Sequence, residues 1–300
     1  MKVVVPWPVA DQQSAPMPDG VELVPWIDGD PPDDALDAPF MMAPYSAGRP
    51  GRLARFTGLQ VLLSQSAGVD WVISQVPDGV VLCDASGVHD RSTSEWVLTA
   101  ILASIREIPR FVRQQDEHLW QSKDTTELAG RRVLIVGYGS IGSAIERRLA
   151  GFEVEITKVA RRARAGVHSI DELPELLPYA DVVVVIVPLT DETRGLVDAG
   201  FLARLPDGAL LVNASRGPVV DAGALLAELH SGRITAAVDV TEEEPLPADN
   251  PLWSAPGLLL TPHVGGDTTN YRGRLHSLVR DQVVRHLAGE PLVNVVQDGY

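Results

Sequence analysis

At 300 residues, 45% of them hydrophobic, the chain can bury a sizeable core and divide it over two moderate domains, since a domain commonly holds about 100 to 200 residues. Its formal net charge of −15 would repel phosphate backbones and anionic lipid surfaces, which argues against a nucleic-acid or membrane partner and for a small molecule or a second copy of the chain. An anionic substrate would need a locally basic site, which gives an isolated arginine more weight.

The opening segment, Met1-Lys-Val-Val-Val-Pro6, is too short and too soon broken by proline for a signal segment. No apolar run approaches the roughly 18 residues of a membrane span, so a soluble, cytoplasmic protein is expected. Short strands are expected at Met1 to Val5, Val21 to Val24, Val61 to Ser64 and Val80 to Cys83, with proline-rich connections between Pro25 and Pro50. Cys83 is the one cysteine and sits in an apolar run, which predicts a buried, inert thiol and no internal disulfide. Ser92-Thr-Ser-Glu95 has the spacing of a capping box, and Trp96, Val97, Ala100, Ile101, Ser104, Ile105 and Ile108 recur at helical spacing. A long helix is therefore expected from Ser92 to about Pro109, with a polar connection from Gln114 to Glu127.

From Arg131 to Gly266 strands and helices alternate. Strands are expected at Arg132 to Val136, Glu153 to Val159, Asp181 to Val187, Ala209 to Asn213, Ala236 to Val240 and Leu258 to Thr261. Helices are expected at Ile141 to Ala150, Ile170 to Leu177 and Asp221 to His230, the last closed by Gly232. The fold class is α/β: a doubly wound, mostly parallel Rossmann sheet over residues 93–270, and a second, smaller α/β domain that includes residues 1–92.

Gly137-Tyr138-Gly139-Ser140-Ile141-Gly142 follows a strand and opens a helix. In that context the spacing has a mechanism: a tight turn, close backbone approach to a pyrophosphate, and close helix-to-strand packing, with the anion on the helix N-terminus. An NAD site would show an acidic residue at the end of the next strand. Here that end reads Val159-Ala-Arg161-Arg162-Ala-Arg164, and three arginines suit a ribose 2′-phosphate, so NADP(H) is favoured and NAD(H) is the alternative.

Arg216, Glu244 and His263 follow three successive strands, and in an open parallel sheet the strand ends open onto one crevice. Their chemistry suits reduction of a ketone: a guanidinium binds a carboxylate and polarises the carbonyl, and an imidazolium delivers a proton. A neighbouring carboxylate favours the charged imidazole and keeps it loaded. Taken singly each has a plainer reading: Arg216 could bond a helix terminus, Glu244 could be the solvated end of a Glu242-Glu-Glu triplet, and His263 could be a structural turn residue. No metal site is expected.

The run from Gly137 to Gly266 resembles the D-isomer-specific 2-hydroxyacid dehydrogenases. The residues that carry the resemblance are the glycine turn, Asn213-Ala-Ser-Arg-Gly-Pro-Val-Val-Asp221, Ala237-Val-Asp-Val-Thr-Glu-Glu-Glu-Pro-Leu-Pro247 and Thr261-Pro-His-Val-Gly-Gly266. The family pattern selects Glu244, which directly precedes a proline, and implies that Arg216, Glu244 and His263 are catalytic in an active enzyme. It extends the cofactor contacts to Val187, Pro188, Ala214, Ser215, Asp239 and Gly265, with Asp239 at the nicotinamide amide. More weakly, Ser64-Gln-Ser-Ala-Gly-Val-Asp70 resembles the loop whose amides hold the substrate carboxylate, which implicates Ala67, Gly68 and Val69 beside Arg216 and His263. The resemblance further implies a flavodoxin-like smaller domain that joins residues 1–92 to residues 271–300, with a helix at Tyr271 to Ala288, a homodimer built through the larger domain, and a small 2-oxo or 2-hydroxy acid substrate. The basic segment and Asp249-Asn-Pro-Leu-Trp253 look most like the glyoxylate and hydroxypyruvate reductase branch, and the length leaves no room for the extra regulatory domain of some phosphoglycerate dehydrogenases. Two other readings on the same fold are a dinucleotide-sensing protein of the corepressor type and a formate- or phosphite-type dehydrogenase. A glutamate rather than a glutamine at position 244 argues against the formate version.

Overall fold

A computed structural model of the chain describes residues 1–297. Residues 298–300, expected to belong to the smaller domain, lie outside the described residues. The chain divides into two compact units: Met1–His89 together with the chain from Thr268 onward, and Asp90–Asp267.

The first unit is built on five short strands, β1 (Lys2–Val5), β2 (Glu22–Pro25), β3 (Phe40–Met42), β4 (Val61–Leu63) and β5 (Val81–Cys83). They pair in the order β2-β1-β3-β4-β5 and every pairing is parallel, the flavodoxin-like order. Because successive strand residues point to opposite faces, Val3, Val5, Phe40, Met42, Val61 and Leu63 pack with Leu275, Val279 and Val283 of the C-terminal helix Tyr271–Ala288. Val4, Met41 and Leu62 pack on the other face with Trp26, Leu53 and Phe56. Cys83 is buried in the first of these layers, and burial pushes its thiol up to about 12, so it has no thiolate to offer.

The second unit opens with helix α1 (Asp90–Ile105), followed by α2 (Ile108–Asp116). Two expectations are corrected here. Helix α1 begins at Asp90, so Ser92 and Ser94 are buried inside it rather than capping it, and the Ser94 hydroxyl donates to the Asp90 carbonyl. The helix also stops before Pro109, at a left-handed Glu107 (φ 49°), and Pro109 opens a new helix, because a proline in a first turn has no intrahelical amide bond to lose.

The sheet of this unit has seven strands: β6 (Arg132–Val136), β7 (Glu155–Ala160), β8 (His168–Ser169), β9 (Val182–Val185), β10 (Leu210–Asn213), β11 (Thr235–Val238) and β12 (Leu258–Leu260). Their order is β12-β11-β10-β9-β6-β7-β8, parallel throughout. Helices α3 (Ser140–Leu149), α4 (Leu173–Leu176), α5 (Ala199–Leu202) and α6 (Ala222–Ser231) cover it. Val133 and Ile135 face a layer holding Val97 and Ile101 of α1 and Ile145 and Leu149 of α3, while Leu134 and Val136 face Leu173, Phe201, Leu225 and Leu229 of α4 to α6. Both faces of the central strands are therefore dry, which is why Val133–Val136 of β6, β9 and Leu210–Val212 of β10 are apolar throughout. The winding reverses between β6 and β9, the position where an open α/β sheet leaves a crevice beyond the strand ends.

Candidate active site

Parallel pairing brings the C-terminal ends of β6, β9, β10, β11 and β12 to one edge of the second sheet, and the chain segments that follow them carry the glycine turn, Val187 and Pro188, Ala214 to Arg216, Glu244 and His263.

The glycine turn occupies the reversal point. Gly137 is left-handed (φ 106°), and a methyl on it would lie 2.2 Å from the Ile186 carbonyl oxygen beyond β9, so a side chain is excluded by both conformation and space. A methyl on Gly142 would lie 2.6 Å from the Gly137 oxygen, which shows how tightly α3 is drawn onto the turn. At Gly139 the same construction meets nothing within 4 Å. The turn is thus closed on two sides and open on the third, ahead of the unpaired amides that begin α3 at Ser140, Ile141 and Gly142. An open cradle before a ten-residue helix N-terminus fits a dinucleotide pyrophosphate. Val187 is buried against Gly137, and Arg161, Arg162 and Arg164 are exposed beyond β7.

Arg216 is held by the turn that leaves β10. Buried Asn213 accepts from the Ser215 amide (3.1 Å) and hydroxyl (2.6 Å) and donates to the Arg216 carbonyl (3.2 Å). Gly217 then lets the next chain segment come close: a methyl there would lie 2.0 Å from the Thr241 carbonyl carbon and 2.3 Å from the Glu242 nitrogen. That contact sets the Arg216 turn against the loop carrying Glu244. Within that loop the Thr241 amide donates to Glu244 Oε1 (3.1 Å), and Glu244 Oε2 lies 2.7 Å from His263 Nδ1.

His263 has an uncommon left-handed backbone (φ 54°), and Asp239 supports it. The Asp239 carbonyl accepts from the His263 amide (2.7 Å). Its carboxylate, 4% exposed, accepts from the Thr261 hydroxyl (2.6 Å) and from the Val264 (2.9 Å) and Gly265 (2.7 Å) amides. Gly265 sits so close that a methyl on it would lie 2.8 Å from the same carboxylate. Asp239, expected at the cofactor, here supports the His263 loop, and Asn213, Thr241 and Gly217, which carry no expected role, position Arg216 and Glu244.

The electrostatics follow from this geometry. The hydrogen bond to Glu244 raises the His263 pKa; burial and the Arg216 charge oppose the rise without cancelling it. Burial alone would raise the Glu244 carboxyl, but the hydrogen bond and charge of His263, the Thr241 amide and Arg216 leave it below its ordinary value. The Arg216 charge acts on both partners, and the arrangement is an imidazole whose protonated form is favoured by the carboxylate it meets. The two side chains stay 45% and 38% exposed, open to a reacting molecule.

Ala67, Gly68 and Val69 belong to the first unit, in the loop after β4. Ser66 orders that loop: its hydroxyl donates to the Gly68 carbonyl (2.6 Å) and accepts from the Trp71 indole (3.2 Å), while its amide donates to the Ser64 hydroxyl (3.1 Å). Among the described residues no helix is long and apolar enough to cross a membrane, and no group of three or more histidine, cysteine or acidic side chains could hold a metal ion.

Comparison with known proteins gives concordant results. The family described as D-isomer specific 2-hydroxyacid dehydrogenase, NAD binding domain, matches residues 98–265. A D-3-phosphoglycerate dehydrogenase of Mycobacterium bovis is 32% identical, over 97% of this chain and 58% of its own length. A glyoxylate reductase of Thermofilum pendens is 33% identical, over 77% of this chain and 73% of its own. The chain spans about half the length of the phosphoglycerate dehydrogenases it matches. A D-isomer specific 2-hydroxyacid dehydrogenase of Xanthobacter autotrophicus, solved with NADPH and MES, has a TM-score of 0.86 at 33% identity over 99% of this chain and 98% of that one. An NADPH-dependent glyoxylate/hydroxypyruvate reductase of Sinorhizobium meliloti, solved with NADP and sulfate, has a TM-score of 0.84 at 27% identity over 99% and 98%.

Proposed function

We propose, from the premise that the chain belongs to the D-isomer-specific 2-hydroxyacid dehydrogenase family, that it reduces a small 2-oxo acid to the D-2-hydroxy acid with NADPH, or runs the reverse oxidation. One observation carries the reading: Glu244 holds His263 by Nδ1 and raises its pKa, on the sheet edge that bears the glycine turn and Arg216.

The nicotinamide, when bound, supplies the hydride that reaches the carbonyl carbon. Arg216 binds the carboxylate and draws charge onto the carbonyl oxygen. With Nδ1 engaged by Glu244, His263 gives its Nε2 proton to that oxygen, so the product is a neutral hydroxyl and the imidazole is left neutral; Glu244 holds the ring in that tautomer. Asp239 keeps the His263 loop in place, and a contact to the cofactor remains its second proposed role.

NADPH is favoured over NADH because the end of β7 has arginines where an NAD site would have a carboxylate, and similar proteins have been solved with NADPH or NADP. The first unit is proposed as the substrate unit, with Ala67, Gly68 and Val69 as its carboxylate-binding turn, and glyoxylate or hydroxypyruvate as substrate. A cytoplasmic homodimer through the second unit completes the reading; Ile108, Val112 and Leu119 there are about half exposed and Trp120 is 100% exposed. Sedimentation of the purified chain tests the dimer. Turnover of glyoxylate, hydroxypyruvate, pyruvate, phenylpyruvate and 2-oxoisocaproate with NADPH and with NADH tests the reaction and ranks the substrates.

A further inference from the structure

Arg164 donates from Nη2 to the main-chain carbonyl of Tyr138, the second residue of the glycine turn, and its guanidinium carbon stands 5.7 Å from the centre of the Tyr138 ring. Its own backbone is fixed by a tight reversal: the Arg164 amide donates to the Val167 carbonyl (2.9 Å), the Val167 amide returns the bond (2.8 Å), Gly166 is left-handed (φ 70°) and Val167 is buried. The Tyr138 side chain is held too. Its hydroxyl donates to the Glu146 carboxylate on α3, which also takes Lys158 Nζ of β7 at 2.8 Å, and that ammonium stands 5.2 Å from the ring centre. On the main chain, the Gly137 and Tyr138 amides both donate to the Val159 carbonyl at 2.9 Å.

We propose that Arg164 is a positioning residue for the glycine turn and not a reader of the ribose phosphate. This rests on the reading of the second unit as a dinucleotide site. The donor grip on the Tyr138 carbonyl, with the guanidinium over its ring, fixes the peptide that leads into Gly139 and the pyrophosphate cradle. Every dinucleotide uses that cradle, whether or not it carries a 2′-phosphate.

The test is titration of the full chain with NADPH and with NADH by the fluorescence of the bound reduced cofactor. Arg164→Ala is expected to raise both dissociation constants by the same factor, about threefold to tenfold, leaving their ratio unchanged. Arg164→Lys, which keeps the charge but not the fork, is expected to recover part of the loss for both. Thermal unfolding without cofactor is expected to be the same for wild type and both Arg164 variants, which separates positioning from a loss of fold. If Arg164→Ala weakens NADPH and leaves NADH unchanged, or changes neither, the proposal is overturned. A wild-type chain that binds NADH more tightly than NADPH would remove the NADPH preference proposed above, while a parallel rise in both constants on Arg164→Ala would still support the positioning role.

Discussion

Glu244 Oε2 lies 2.7 Å from His263 Nδ1, and this contact decides which nitrogen of the ring is left for chemistry. With Nδ1 engaged by a carboxylate, Nε2 is the nitrogen that gives or takes the proton in the proposed reaction.

The pH dependence follows with a definite sign. The Glu244 hydrogen bond raises the His263 pKa above the ordinary 6.5. Reduction needs the charged ring, so kcat/KM for reduction should stay level below that raised value and fall as pH climbs through it; oxidation, which needs the neutral ring, should rise over the same interval. Glu244→Gln should move both limbs down toward the ordinary histidine value and lower kcat/KM by about tenfold or more. Limbs in the same place in wild type and variant would show that the pair does not set the profile.

Arg216 is expected to act mainly on substrate binding. Arg216→Ala should raise KM for the 2-oxo acid by about ten- to a hundredfold, the worth of a charge-assisted hydrogen bond, with the dissociation constant of the cofactor unchanged. Arg216→Lys should recover only part of this, since an ammonium cannot present the planar fork. Steady-state kinetics paired with cofactor titration separates the two effects.

Gly217→Ala tests the contact between the Arg216 turn and the Glu244 loop. Its methyl would sit 2.0 Å from the Thr241 carbonyl carbon, so one of the two segments must move. A loss of about 1 to 3 kcal/mol in stability is expected from overpacking, with a fall in kcat/KM and a downward shift of the histidine limb because Glu244 no longer meets His263. Thermal unfolding and the pH profile read the two consequences separately.

Asp239→Asn keeps the size of the side chain but turns an amide group toward donors that need acceptors. Replacing a carboxylate that receives Thr261, Val264 and Gly265 should cost about 1 to 3 kcal/mol and slow turnover, because the left-handed His263 loses the support of its loop. Unchanged turnover with a weakened cofactor would instead place Asp239 at the nicotinamide alone.

Much of this molecule is legible in its sequence, for reasons that can be named. The central strands β6, β9 and β10 of the second sheet are covered on both faces and read as apolar runs, and the glycine turn and the Arg216, Glu244 and His263 segments are local motifs in which particular residues recur at particular spacings. What escaped depends on tertiary geometry. Strand β3, Phe40–Met42, is three buried residues inside a proline-rich stretch and has neither alternation nor length to mark it. Ser92 to Glu95 carries a start signal, yet α1 begins two residues earlier, because packing buries Ser92 and Ser94. The hold of Asp239 on the His263 loop and of Arg164 on Tyr138 joins residues 25 and 26 positions apart, and no spacing rule announces either.

The most direct test is steady-state oxidation of NADPH by wild type and by His263→Ala with the panel of 2-oxo acids, alongside cofactor titration of both. The account predicts turnover of at least one acid by wild type, and a variant that binds NADPH as wild type does while its turnover falls by about a hundredfold or more. Tight NADPH binding by a wild type that turns over none of these acids, or near-normal kcat/KM in the variant, would contradict it; the first result would favour a protein that senses the dinucleotide.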